Sequence, residues 1–177
     1  MKQFISFYIL FLSFSYADSE DGCLGFTYGV LGRFQSNPDS IVELTNLSSI
    51  QTGDRIRINL FYPNESNFYL LYIGSTGEVM MVHEYEKSLH YNENIKQDSV
   101  SVTALNWRNL IDPVGEETFY FINNPEPLNE LKKLVQRYNR VPEKARQKVS
   151  NRIRDMVNSL NPSIKGDLAD IPTRLDK

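Results

Sequence analysis

Phe68–Ile73 reads FYLLYI, a run of apolar and aromatic residues without interruption. Such a run suits a strand covered on both faces, so the rest of the chain has to cover it. On its N-terminal side, Arg55–Tyr62 alternates Ile56, Ile58 and Leu60 with Arg55, Arg57 and Asn59. That period of two gives a strand with one apolar and one charged face. Gly53-Asp54 turns the chain into this strand, Pro63-Asn64-Glu65-Ser66 turns it out, and Ser75-Thr76-Gly77 precedes a third strand, Val79–Val82. The stretch Thr52–Val82 thus reads as a three-strand meander around which the remainder is organised.

Other strands come from the same signals. Phe26, Tyr28 and Val30 alternate with Thr27 and Gly29, Ile41–Leu47 follows a polar loop, and Val100, Val102 and Ala104 alternate with Ser99, Ser101 and Thr103. Thr118–Ile122, TFYFI, is rich in β-forming residues. About seven short strands separated by turns predict a mainly β fold, an antiparallel β-sandwich that is Ig-like or a partly open barrel, over residues 25–124. After Pro125 and Pro127, which suit a first helical turn, the period changes. Leu128, Leu131, Leu134, Val135 and Tyr138 form one helical stripe. Val141, Ala145, Val149, Ile153, Met156, Val157 and Leu160 form a second, opened by Pro142 and stopped by Asn161-Pro162. Residues 125–160 are therefore expected to be two helices packed on the sandwich, and residues 161–177 a polar tail.

The N-terminus carries an address. Lys2 precedes the apolar run Phe4–Phe14, and Ser15-Tyr16-Ala17 offers the small residues that signal peptidase needs. Residues 1–17 are read as a secretory signal cleaved after Ala17, which sends the chain to the periplasm or the medium. Residues 18–24 make a polar leader. Cys23 is the single cysteine, so no internal disulfide forms, and its position behind Glu20-Asp21-Gly22 does not fit a lipidated cysteine. The net charge of −3 hides an asymmetry. Asp18–Pro125 holds 6 Lys+Arg against 15 Asp+Glu, a balance of −9, whereas Glu126–Lys177 holds 12 against 7, a balance of +5. The acidic sheet portion opposes a nucleic-acid backbone.

From Thr52 to about Leu128 the chain resembles an uncharacterised bacterial domain family of exported or envelope proteins, which also occurs appended to kinase-like and caspase-like domains. The resemblance lies in Gly53-Asp54 before an alternating strand, in Tyr69-Leu70-Leu71-Tyr72-Ile73 and in Gly77-Glu78-Val79. Asn94-Ile95 and Pro113-Val114-Gly115-Glu116-Glu117 complete it. The chain departs from the family's Leu-Phe-Pro turn, reading Met81-Val82-His83-Glu84-Tyr85 there. The resemblance implies a β-rich, non-catalytic module and carries no catalytic residues.

Candidate sites are few. His83–Asn94 reads as a long acidic connection, and His83, Glu84, Tyr85, Glu86, His90 and Tyr91 make it the candidate partner-contact loop. His83 and His90 with Glu84, Glu86 and Glu93 could assemble a metal site for a hydrolase, but no HExxH-type spacing occurs, and neither metal nor cofactor is expected. Glu116 and Glu117 are adjacent on a strand and point to opposite faces, which does not suit a paired-carboxylate glycosidase. The strand aromatics, Phe61, Tyr62, Phe68, Tyr69, Tyr72, Phe119, Tyr120 and Phe121, read first as core. Lys144, Lys148 and Arg152 fall at i, i+4 and i+8, a candidate basic helix face. The expectation is an exported, non-enzymatic binding or assembly module of the bacterial envelope, with another envelope protein as partner. The alternatives are a membrane-surface protein using Pro142–Leu160, and a metal-dependent hydrolase using the His83/His90 loop.

Overall fold

The computed structural model describes residues 26–45, 48–63, 67–87, 99–110 and 115–160, together with the backbone of residues 7–15. In chain order the strands are β1 (Phe7–Ser15), β2 (Thr27–Arg33), β3 (Val42–Glu43), β4 (Ser49–Ile50), β5 (Arg55–Pro63), β6 (Asn67–Ile73), β7 (Val79–Tyr85), β8 (Ser99–Asn109) and β9 (Glu116–Asn124). Two helices follow, α1 (Asn129–Arg140) and α2 (Glu143–Ser159). Seven antiparallel strands form the body as two sheets, β3-β2-β5-β8 and β9-β6-β7, which do not close into a barrel. β1 and β4 continue the second sheet beyond β9, in the order β4-β1-β9-β6-β7. Residues 7–15, which lie within the 1–17 segment read above as a signal, here run parallel to β9.

The expected meander is corrected. β5 pairs with β2 and β8, while β6 pairs with β7 and β9, so the chain changes sheets between Pro63 and Asn67. Burial explains the crossing. β5 buries only Ile56, Ile58, Leu60 and Tyr62, whereas β6 is buried at every position from Asn67 to Leu71 and again at Ile73. A strand apolar on both sides stabilises the fold most when it has a layer on each face, and a neighbour of one-sided β5 would lack one. Across the crossing, Tyr62 stacks on Phe68 with ring centroids 4.6 Å apart.

Three layers result. Val30, Ile56, Ile58, Leu60, Phe68, Leu70, Phe119 and Phe121 pack between the sheets. Tyr69, Leu71, Ile73, Tyr120 and Ile122 face the other way and meet Leu131, Leu134 and Val135 of α1 and Val149, Ile153 and Val157 of α2. Each fully buried aliphatic side chain in this second core stabilises by about 1.5–3 kcal/mol. The helices therefore cover the outer face of β6, as the apolar run requires.

Local chemistry sets the element ends. Gly77 holds φ +80° in the β6–β7 turn, and a Cβ there would lie 2.7 Å from Gln147 Oε1, so glycine serves both the turn and the seat of α2. Pro125 and Pro127 lie ahead of α1 instead of within its first turn. Leu128 keeps a non-helical backbone, φ −88° and ψ 62°, because its N–H donates to the Tyr69 hydroxyl at 3.0 Å. That hydroxyl satisfies one of the N–H groups left without a partner at the helix start. Among the described residues of the expected Ile41–Leu47 strand only Val42–Glu43 are extended in the sheet, and β7 runs three residues beyond its expected end at Val82.

Candidate functional site

The extension of β7 changes the reading of the acidic stretch. His83, Glu84 and Tyr85 are strand residues, with Leu70, Tyr69 and Phe68 as their register partners, and not part of a loop. β7 continues because β6 offers it an equally long neighbour. His83 Nε2 lies 2.7 Å from the Tyr62 hydroxyl, and the Tyr85 ring packs 5.3 Å from that of Tyr62. His90 and Tyr91 lie outside the described residues; of the four described candidates, His83 and Tyr85 face Tyr62, whereas Glu84 and Glu86 face Lys132. Among the described residues no three His, Cys, Asp or Glu side chains gather as a metal-holding group.

Glu86 is the residue that sequence reasoning misplaced most. It is 6 % exposed and accepts from the Tyr69 hydroxyl at 3.1 Å and from Lys132 Nζ at 2.7 Å. Lys132 also reaches Glu84 Oε1 at 2.7 Å. The Leu128 N–H, Tyr69 hydroxyl, Glu86 carboxylate and Lys132 ammonium thus form one chain of bonds that fastens the start of α1 to the end of β7. Burial pushes the Tyr69 hydroxyl up to about 12, against the opposing pull of the Leu128 N–H. Hydrogen bonds that it donates to Glu84 and then to Glu86 hold the Lys132 ammonium well above the usual lysine range. No local pattern announces this cluster, since Lys132 and Glu86 are 46 positions apart.

Two more buried carboxylates bond within the fold. Glu117 accepts from the hydroxyl of Tyr72 on the neighbouring strand. Burial and then this carboxylate push the Tyr72 phenol far up. Glu116 is exposed and faces away from Glu117, as strand alternation demands. Asp54 is 3 % exposed and accepts from the Gln35 N–H and the Gln51 N–H, each at 2.8 Å. With Gly53 at φ +92° it ties the β5 entry to two loops, which gives the Gly-Asp pair a structural role.

Charge is distributed more finely than the segment totals imply. The solvent face of the four-stranded sheet carries Arg33, Arg55 and Arg57. The Arg33 guanidinium lies 4.7 Å from the Trp107 ring centroid, and Arg57 bonds Asn59 Oδ1 at 3.2 Å and Thr103 Oγ1 at 2.9 Å. Phe61, the one strand aromatic of the expected core that points to solvent, is 50 % exposed on this same sheet. On α2, Lys144, Lys148 and Arg152 are all exposed and border a shallow surface with Asn151 and Asp155. The helix's apolar side, Val149, Ile153 and Val157, is buried in the domain, which leaves only its polar side for other contacts. Among the described residues no helix is long and apolar enough to cross a membrane.

A cleft of about 440 Å³ lies between the β6–β7 turn and the helices, lined by Gly77, Glu78, Tyr138, Glu143, Arg146 and Gln147. It mixes both signs of charge, and the Arg146 guanidinium sits 5.6 Å from the Tyr138 ring centroid. None of the buried carboxylates opens into it. The chain matches no protein-family model, no curated protein and no solved structure.

Proposed function

We propose that the protein is an exported, non-enzymatic binding and assembly module of the bacterial envelope whose partner is another protein. One observation carries this reading. The buried carboxylates of Asp54, Glu86 and Glu117 each hold two or more elements of the fold together and none lines the cleft. Acid–base or nucleophilic catalysis needs such groups poised within reach of a substrate. Here their chemistry goes into rigidity, which suits a scaffold that offers strand edges and faces to a partner. Export rests on the Lys2, Phe4–Phe14 and Ser15-Tyr16-Ala17 pattern.

The test is fractionation of the native host followed by gentle cross-linking in place. The reading expects a processed chain outside the cytoplasm, linked to one protein in a constant ratio. Near-equimolar zinc, iron or copper in protein purified without an affinity tag, lost on changing both His83 and His90 to alanine, would put the hydrolase in its place. Binding to anionic vesicles that disappears with Lys144→Ser and Lys148→Ser would favour the membrane-surface alternative.

A further inference from the structure

β1 holds a place in the second sheet that the chain's own address marks for removal. Residues 7–15 run parallel to β9 through eight register pairs, from Tyr8↔Glu116 to Ser15↔Asn123. On their other side they meet β4 at Phe7↔Ile50 and Tyr8↔Ser49. Cleavage after Ala17 would take this strand away and leave a slot along the whole β9 edge, bordered by β4 only where Phe7 and Tyr8 had paired. The slot would not resemble an ordinary sheet edge. Phe119 and Phe121 pack towards the opposite sheet and Tyr120 and Ile122 towards the helices, all four at 3 % exposure or less with β1 in place. A long, flat edge with apolar residues on both faces is a template for another strand.

We propose that in the exported chain this slot receives an extended apolar segment of a partner protein, aligned parallel to β9. The proposal rests on the export and protein-partner reading above and names what the partner contributes. Backbone hydrogen bonds along β9 would supply affinity, and the layers on either side would supply selectivity. Because both faces of β9 are covered, the fitting segment is apolar at consecutive positions, as residues 7–12 are, and not alternating. A second copy of the chain has no such strand to lend. Its apolar runs Phe68–Ile73, Val79–Val82 and Phe119–Ile122 already lie in β6, β7 and β9.

The full-length chain is expressed with its own N-terminus, exported and purified, and its processing is read by intact mass. Hydrogen exchange at Thr118–Asn123 is then followed with and without a synthetic peptide carrying the Phe7–Ser15 sequence between lysine caps. The processed chain is expected to exchange rapidly at those β9 amides that face the β1 position, while the β9 amides bonded to β6 and the β7-paired β6 stay protected. Peptide at 100 times its Kd should slow β9 exchange on the order of 100-fold. The same peptide N-methylated at alternate residues, which cannot complete the ladder, should leave exchange unchanged. Equal protection by the methylated peptide would reduce the effect to apolar adhesion and overturn the proposal. So would a processed monomer whose β1-facing β9 amides are already protected, and so would a processed dimer protected there by its second copy.

If the processed chain does not fold alone, the same peptide should restore its circular dichroism to that of Ala17→Leu, which blocks cleavage and keeps residues 7–15 attached. Failure of that rescue, with Ala17→Leu folded, would mean that the strand has to be covalently attached and would sink the slot. A native mass that retains Met1 overturns the export reading itself and with it the open slot. Mass and exchange come from one sample, so the two failures are told apart.

Discussion

The Glu86 carboxylate lies 2.7 Å from Lys132 Nζ and so joins the end of β7 to the start of α1. The Tyr69 hydroxyl completes the join by accepting from the first free N–H of the helix region, at Leu128, while donating to Glu86. The helices are held by this polar clasp at one end and by the apolar packing of Ile153 and its neighbours along their length.

Lys132→Met should leave the Glu86 carboxylate hidden without its cation. The Lys132 side chain is still 23 % exposed, so water softens the loss, and a cost of about 1–3 kcal/mol in urea unfolding is expected. Adding Glu86→Gln should cost less than the sum of the two changes. The pH dependence has a fixed sign. Glu84 and Glu86 raise the Lys132 ammonium above its ordinary 10.5, so its contribution is complete below that pH and is lost as pH climbs towards the folded value. The difference in stability between wild type and Lys132→Met should shrink across that alkaline window. A difference that stays constant there would show that the clasp does not act through charge.

Alkaline titration of the tyrosines gives a second check. Burial raises Tyr62, Tyr69 and Tyr72, with Tyr69 reaching about 12. In the unfolded chain all tyrosines lose their proton near 10. The folded state therefore holds more protons above that pH, and stability falls as pH rises. Ultraviolet absorbance should show these three phenols ionising only together with alkaline unfolding. Tyr62→Phe should remove one of them, and it should lower stability by about 0.5–1.5 kcal/mol through the lost bond to His83. Smooth ionisation of every tyrosine in the folded protein would contradict the buried assignments.

Ile153 is fully buried beneath α2, whereas Lys144 and Lys148 are exposed. Ile153→Asp should destabilise the whole domain by roughly 4 kcal/mol or more, because a carboxylate is placed in an apolar layer. Lys144→Ser and Lys148→Ser should each stay within about 0.5 kcal/mol. Thermal unfolding of the three variants decides whether apolar docking or surface charge positions the helix.

Asp54→Ala should free the Gln35 and Gln51 N–H groups from the carboxylate that now accepts from both. Bonds to a charged acceptor carry about 1.5–3 kcal/mol, so a loss of that order is expected in chemical denaturation. Faster hydrogen exchange at those two amides should accompany it. Unchanged exchange would mean that the turn holds without the side chain.

Much of the fold was legible because periodicity is local. Ile56, Ile58 and Leu60 alternate as written, FYLLYI lies covered on both faces, and Leu131, Leu134, Val135, Val149, Ile153 and Val157 fall on the predicted stripes. What could not be read was long-range. The change of sheet between β5 and β6 is decided by which strand needs two covered faces, and the turn Pro63–Ser66 looks the same for either outcome. Glu86 looked like one more acid in a solvated loop because its partners, Tyr69 and Lys132, come from two other elements. The acidic total of the sheet portion likewise concealed Arg33, Arg55 and Arg57 on one face, since a sum along the chain does not record where strands point.

The change of sheets also governs when the domain can assemble. β5 and β6 are neighbours in the chain yet cannot zip into a hairpin, and β6 finds its second partner only in β9, with Tyr72 and Glu117 45 positions apart. Loops of that kind have to close before their contacts reward them, so folding is slow relative to a chain built of hairpins. During synthesis β6 and β7 emerge early and wait with their apolar faces uncovered until β9 and then both helices appear. The second core therefore closes last, since it needs β9 and both helices as well as β6 and β7.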